Sequence, residues 1–323
     1  MKKFVYTACM RNKPVILLPV IACTLLLCGC AVLRNAVMGN VSTSLAQSAA
    51  ASFSSESDLV LAAGALPFAL KTLDMLAREH PGDPAIQLAA GRAYIQYAGG
   101  FLDWEARKAE FTDVDEASRL HQRAARLHAR GRDYAAAALN IKHADGMQRL
   151  KENPDHFLRS CRVGDVPELF WLASGWAAGI ASDPSNMREF AQLGLVESIM
   201  RRCLELAPDY DDGSIHEFFL VYEATRNAAA GRGDKRAERD HFDKAVAASQ
   251  GKRASPFVLM ATSMMIPAQD VAGFRDMMNK ALAIPLDDVP ENRLANAIAQ
   301  DKARWYLENI EAFFLLDEAG LNP

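Results

Sequence analysis

From Leu120 to Ile141, apolar and small residues fall at 120, 124, 127, 131, 134, 138 and 141, alternating steps of four and three without a miss. A series of that period lies along one face of an α-helix, so the middle of the chain is one amphipathic helix of about six turns. Arg119, Arg123, Arg126 and Arg130 fall off the stripe and read as its solvated face. Ala124, Gly131 and Ala138 leave room for a neighbouring helix to approach closely. Leu59, Ala62, Leu66, Leu70 and Leu73 repeat the pattern earlier, with a kink expected at Pro67. Ala295, Ala299, Ala303, Tyr306, Ile310 and Phe313 repeat it near the end. No alternating strand pattern or hairpin dipeptide interrupts, and the expected class is all-α.

Helix pairs with an apolar face must stack to bury it, and the helix ends suggest a repeat. Leu204-Glu205-Leu206-Ala207-Pro208-Asp209-Tyr210 has the form of a tetratricopeptide closing, with similar endings at Leu76 to Pro81, Ala245 to Gly251 and Leu282 to Pro285. The boundaries at 208, 251 and 285 stand 43 and 34 residues apart, and 34 is the tetratricopeptide period. The stretch from Phe101 to Ser182 keeps no period. The expectation is a tetratricopeptide-like solenoid of stacked antiparallel helix pairs, either with a large irregular insertion or as two short arrays closed on each other.

The beginning of the chain reads as an address. A basic stretch from Lys2 to Lys13 precedes an apolar run from Val15 to Cys28, short for a bilayer span but suited to a signal segment. It ends Leu27-Cys28-Gly29-Cys30, a lipobox in form, which makes Cys30 the expected lipidation site, with Cys28 unusual at its position. Two or three acyl chains there would give stable anchoring. The expected organisation is a signal peptide over 1–29, a lipidated tether over 30–57 and a helical domain over 58–323. Seven serines between Ser42 and Ser57 fit the tether. Ala31 after the lipidated cysteine favours the outer membrane. Without its first 29 residues the chain carries 32 basic and 40 acidic side chains, a net −8. That balance offers no footprint for nucleic acid. Cys161 and Cys203 are the remaining thiols: either they pair in an oxidising compartment, or Cys203, in a helical apolar pattern, is a small buried side chain.

No motif announces catalysis: HExxH, GxSxG and a phosphate-binding glycine loop are missing, and no cofactor is expected. Gly231-Arg232-Gly233-Asp234 reads as a helix–helix turn. The seven histidines are dispersed, His216-Glu217 stands as an isolated pair, and no metal-ligand spacing stands out. Asp211-Asp212 and Asp287-Asp288 fall at inter-helix turns, where Asp caps helices. The aromatic residues are more distinctive: Tyr94, Tyr97, Phe101 and Trp104 on one helix, Phe170, Trp171 and Trp176 on another, Phe218, Phe219 and Tyr222 on a third. They are either core or the lining of a groove that takes an apolar ligand or a partner segment.

Phrases along the body resemble the T-component proteins of TRAP transporters. They are Ala65-Leu66-Pro67-Phe68, Ala93-Tyr94-Ile95-Gln96-Tyr97-Ala98, Arg130-Gly131-Arg132-Asp133-Tyr134-Ala135, Val166-Pro167-Glu168-Leu169-Phe170-Trp171 with Trp176, and Pro290-Glu291-Asn292-Arg293-Leu294-Ala295-Asn296. They run in order from about residue 59 to 314, with Phe170 where tyrosine is expected. The resemblance implies a periplasmic, non-enzymatic lipoprotein, a homo-oligomer with a trimer expected, that associates with the solute-binding P component. It also implies a docking platform, or a site or channel for a hydrophobic or carboxylate ligand. Tyr97, Phe101, Trp171, Trp176 and Tyr222 are the residues expected to touch ligand or partner. The alternatives are a general tetratricopeptide lipoprotein scaffold for envelope assembly, and an enzyme with an unfamiliar site.

Overall fold

The computed structural model describes residues 51–231 and 234–315. The signal segment, Cys30, the tether up to residue 50 and the middle of the Gly231–Asp234 turn lie outside the described residues. Among the described residues the body is helical, with no strand. The helices are α1 Leu59–Glu79, α2 Pro84–Tyr97, α3 Asp103–Ala109, α4 Val114–Lys142, α5 Gly146–Glu152, α6 Pro154–Ser160, α7 Val166–Ser182, α8 Met187–Phe190 and α9 Leu193–Leu206. They continue as α10 Tyr210–Ala229, α11 Arg236–Ala248, α12 Ser255–Met260, α13 Ile266–Ala268, α14 Val271–Leu282 and α15 Arg293–Glu308. All four repeat endings read from the sequence fall at helix ends, after α1, α9, α11 and α14.

Aspartates start several helices. Asp58 accepts from the amides of Val60 and Leu61, Asp83 from Ala85 and Ile86, and Asp113 from Glu116, meeting donors that a helix leaves unpaired. Asp211 and Asp212 depart from the expected capping role. With Gly213 they take φ of 50°, 53° and 90°, a left-handed run inside α10. Arg253 secures it, donating from Nη1 to the Asp211 carbonyl (2.5 Å) and to Ser214 Oγ (2.9 Å). Short polar side chains tolerate this conformation best after glycine.

The long helix α4 is the axis, packed on α2, α3 and α7. Its stripe is buried at Ala124, Gly131 and Ala138, while Ile141 at the end is exposed. A second buried row, His128, Ala135 and Leu139, lets α4 take neighbours on two sides. The closest approach is at glycine: a Cβ on Gly131 would stand 2.6 Å from Ile95 Cγ1 and 2.8 Å from the Gly91 carbonyl oxygen. A Cβ on Gly175 of α7 would stand 2.8 Å from Ile95 Cδ1. Of the four arginines assigned to the solvated face, Arg119, Arg123 and Arg126 are exposed. Arg130 is half-buried and pairs with Asp74 of α1.

Two large apolar clusters and three smaller ones result among the described residues. The larger joins α4, α5, α6, α7, α9 and α10 through Leu139, Leu150, Phe157, Leu169, Leu172, Ile199 and Phe219. The second joins α12, α14 and α15 and includes Trp104 of α3. Trp104 Nε1–H donates to Asp301 Oδ2 (2.8 Å), its ring packs on Tyr306 (5.6 Å), and Phe111 meets Phe313 (5.3 Å). The last helix of the body therefore closes on an early one. An open stack whose units touch only their neighbours would not do this.

Candidate ligand cleft beside Trp176

The helix α7 is apolar nearly all round, and Leu169, Phe170, Trp171, Leu172, Ala173 and Trp176 are all buried. A helix of that composition belongs inside a protein, and α7 is covered by α2, α4 and α9. Pro167 sits in its first turn, where a missing amide hydrogen costs nothing. Trp176 is buried, yet its indole Nε1–H points to the surface and donates to Glu189 Oε2 of α8 at 2.7 Å. Arg132 of α4 donates to the same oxygen at 2.9 Å, and its guanidinium lies over the indole, 5.3 Å from the ring centroid.

These groups form one wall of a cleft of about 470 Å³, within the usual range for small-molecule sites. Met147 and Ala136 supply its apolar surface, with buried Leu172 behind them; Arg132, Lys151 and Arg188 outnumber Asp133 and Glu189. The cleft shares Met147 and Lys151 with a wider depression lined by Asn140, Asp145 and Gln148. Cations around an indole wall suit a ligand with an apolar body and an anionic group.

The other four expected contact residues lie elsewhere. Trp171 is buried against Phe170, ring centroids 5.3 Å apart, with Arg92 over its outer face at 5.4 Å. Tyr222 of α10 packs on the same core, half-buried, stacks on Phe218 (5.6 Å) and donates its hydroxyl to Glu197 Oε2 at 2.6 Å. Burial first, and the Glu197 carboxylate second, push the Tyr222 hydroxyl up to about 12. Tyr97 and Phe101 form a separate group, rings 5.8 Å apart, with Leu70, Leu102 and Ala124. Phe101 lies on a π-helical turn, Ala98–Leu102, that joins α2 to α3. The structure thus brings Trp171, Trp176 and Tyr222 to one core, sets Tyr97 and Phe101 apart, and puts Trp176 in the cleft wall.

Sequence reasoning passed over the cleft's polar residues. The phrase Arg130-Gly131-Arg132-Asp133-Tyr134 contains them, and its side chains part in three directions. Gly131 meets α2 closely, Arg132 and Asp133 face the cleft, and Arg130 and Tyr134 turn to Asp74. Burial works against the Asp74 carboxylate. Hydrogen bonds from Lys71, Tyr134 and Tyr94 and the Arg130 charge outweigh it and hold the group below the usual carboxylate range. His216 and Glu217 are not an isolated pair: His216 Nδ1 lies 2.9 Å from His241 Nδ1, and Glu217 Oε1 lies 3.4 Å from Arg253 Nε. Cys161 and Cys203 are both buried and free.

The chain matches the family described as TRAP transporter T-component over residues 55–314, nearly the whole described body. A Treponema pallidum (strain Nichols) protein, described only as uncharacterized, is 27% identical to it over 269 residues, covering 81% of this chain and 82% of its own. The chain belongs to the TRAP transporter T-component family, a family of accessories to solute transport.

Proposed function

We propose that the protein is a periplasmic T component, anchored through a lipid on Cys30 in the outer membrane, that docks the solute-binding P component of a TRAP transporter. In this reading its helix pairs stack as degenerate tetratricopeptide units and the working form is a homo-oligomer, a trimer by expectation. The cleft beside Trp176 holds an organic solute with a carboxylate or similar anionic group. Trp176, Met147 and Ala136 take the apolar part, and Arg132, Lys151 and Arg188 take the charge. Tyr97, Phe101, Trp171 and Tyr222 remain proposed contacts for partner or ligand.

The observation that carries this reading is the family match across residues 55–314. The cleft's composition supports the ligand class. Sedimentation of the protein alone and with its P component tests the docking; a defined complex of an oligomer is expected. A monomer indifferent to that partner would return the chain to the general scaffold reading. Titration with mono- and dicarboxylates, followed by tryptophan fluorescence, tests the cleft. Arg132→Gln removes a charge-assisted hydrogen bond of about 1.5–3 kcal/mol, so binding should weaken at least tenfold. Equal binding by that variant and by Trp176→Ala would exclude the cleft.

A further inference from the structure

We propose that His143, Cys161 and Asp165 form a binding site for one borderline divalent transition ion of the zinc class, separate from the Trp176 cleft. The three residues each close a helical element. His143 follows α4, Cys161 follows α6, and Asp165 ends the 3-10 turn that leads into α7. One nitrogen, one sulfur and one oxygen thereby come within 4.8 Å of one another. Because the ligands are spread over residues 143–165 in no paired spacing, the site has no sequence signature.

The donor set selects the ion. Magnesium and calcium prefer oxygen alone, whereas zinc accepts imidazole, thiolate and carboxylate together. Ligands at about 2.0–2.3 Å from zinc stand roughly 3.3–3.8 Å apart in a tetrahedron. His143 Nε2 and Asp165 Oδ1 are 2.9 Å apart, so a small separation of these two and an approach of the thiolate would complete the geometry. Outer contacts already orient the ligands: Asp165 Oδ2 accepts from the Arg162 amide at 2.8 Å, and the His143 ring meets the Phe157 ring edge-on at 5.5 Å. Cys161 is fully buried, while the His143 side chain is 21% exposed. Three protein ligands leave the fourth position of a tetrahedral site for a water.

A cation already competes for the place. Lys142 Nζ lies 3.6 Å from Asp165 Oδ1 and 2.8 Å from Glu168 Oε2, and also contacts the Gly164 carbonyl. Arg202 Nη2 donates to the Cys161 carbonyl at 3.0 Å, and the charges of Arg202, Arg149 and Arg162 act on the thiol. Binding displaces the Lys142 ammonium from Asp165 and leaves it with Glu168. The Cys161 thiol gives its proton to solvent as the sulfur–metal bond forms. His143 binds through the Nε2 lone pair with its remaining proton on Nδ1, so ligand protons are lost to solvent as the ion binds. Burial, with Asp165 beside it, holds the metal-free thiol up at about 11, and the ion supplies the charge that a thiolate there requires.

The test uses purified full-length protein stripped by a chelator, with Co²⁺ as the spectroscopic probe and Zn²⁺ measured against a chromophoric chelator. Expected are one equivalent bound, a thiolate-to-cobalt charge-transfer band, and Zn²⁺ binding at least about tenfold weaker in Cys161→Ser and His143→Gln. Lys142→Gln should bind Zn²⁺ several-fold more tightly. Absence of the band in the wild-type protein, or Zn²⁺ affinity unchanged in Cys161→Ser, overturns the proposal. Should Cys161→Ser fail to fold, the wild-type cobalt spectrum still decides.

Discussion

Gly131 and Gly64 both lie inside helices, and changing each to alanine should move stability in opposite directions. Alanine is the better helix former by about 1 kcal/mol, so both substitutions begin with the same gain. At Gly64 a new Cβ meets nothing within 4 Å, and that gain stands. At Gly131 the Cβ lands 2.6 Å from Ile95 Cγ1 and 2.8 Å from the Gly91 carbonyl oxygen. A rotamer change cannot clear a backbone oxygen, so α2 and α4 must separate along a packed interface. Overpacking of this kind costs about 1–3 kcal/mol, and contact with backbone puts Gly131→Ala at the upper end. Net of the helix gain, about 2 kcal/mol is lost. For a body of this size that lowers the melting temperature by about 4–8 °C, against a rise of about 1–4 °C for Gly64→Ala. Calorimetry or urea unfolding of the two variants beside the parent measures both. A Gly131→Ala protein as stable as the parent would mean that α2 and α4 do not hold this approach in solution.

Three further outcomes follow from buried groups. The lowered Asp74 contributes stability that is present above the ordinary carboxylate range and lost as pH falls through its depressed value. Asp74→Asn should therefore melt lower than the parent near neutrality and lose less on acidification below about pH 4, as thermal melts across that range would register. His241 is pushed down to about 4, by burial first and then by His216, so the folded state favours its neutral form. Stability from this pair is complete above about pH 6.5 and declines from there towards pH 4; His241→Gln should flatten that decline, and an unchanged profile would count against the pairing. Burial raises Cys161 to about 11 and Cys203 to about 12. Neither thiol should react with a thiol reagent at pH 8 in the metal-free native protein, whereas both should react in denaturant.

Local periodicity made the helices legible, because each stripe is a property of neighbouring residues. Leu120 to Ile141 and Ala295 to Phe313 both lie in or along helices, and the four proline- and glycine-marked endings fall at helix ends. What local pattern cannot express is where a side chain goes after it leaves its helix. Arg130 and Arg126 looked alike on a polar face, but α1 passes beside one and not the other. The capping expectation at Asp211 and Asp212 failed because Arg253, far along the chain, holds that backbone in a left-handed run. The candidate cleft was half visible: Trp176 stood out by type, whereas Arg132, Lys151, Arg188 and Glu189 are ordinary surface residues until α4, α5, α7 and α8 come together.

The contact of Trp104 with Asp301 and Tyr306 bears on how the body comes apart. An open array of helix pairs can lose its terminal pair and keep the rest, so its unfolding frays from an end and shortened forms remain folded. Here α15 supplies part of the surroundings of an indole on α3, and deleting it would uncover that ring and the apolar residues around it. Loss of the final helix should thus be felt at the beginning of the body. Hydrogen exchange should show α3 and α15 opening together, as one cooperative unit rather than as the two loose ends of a chain of repeats.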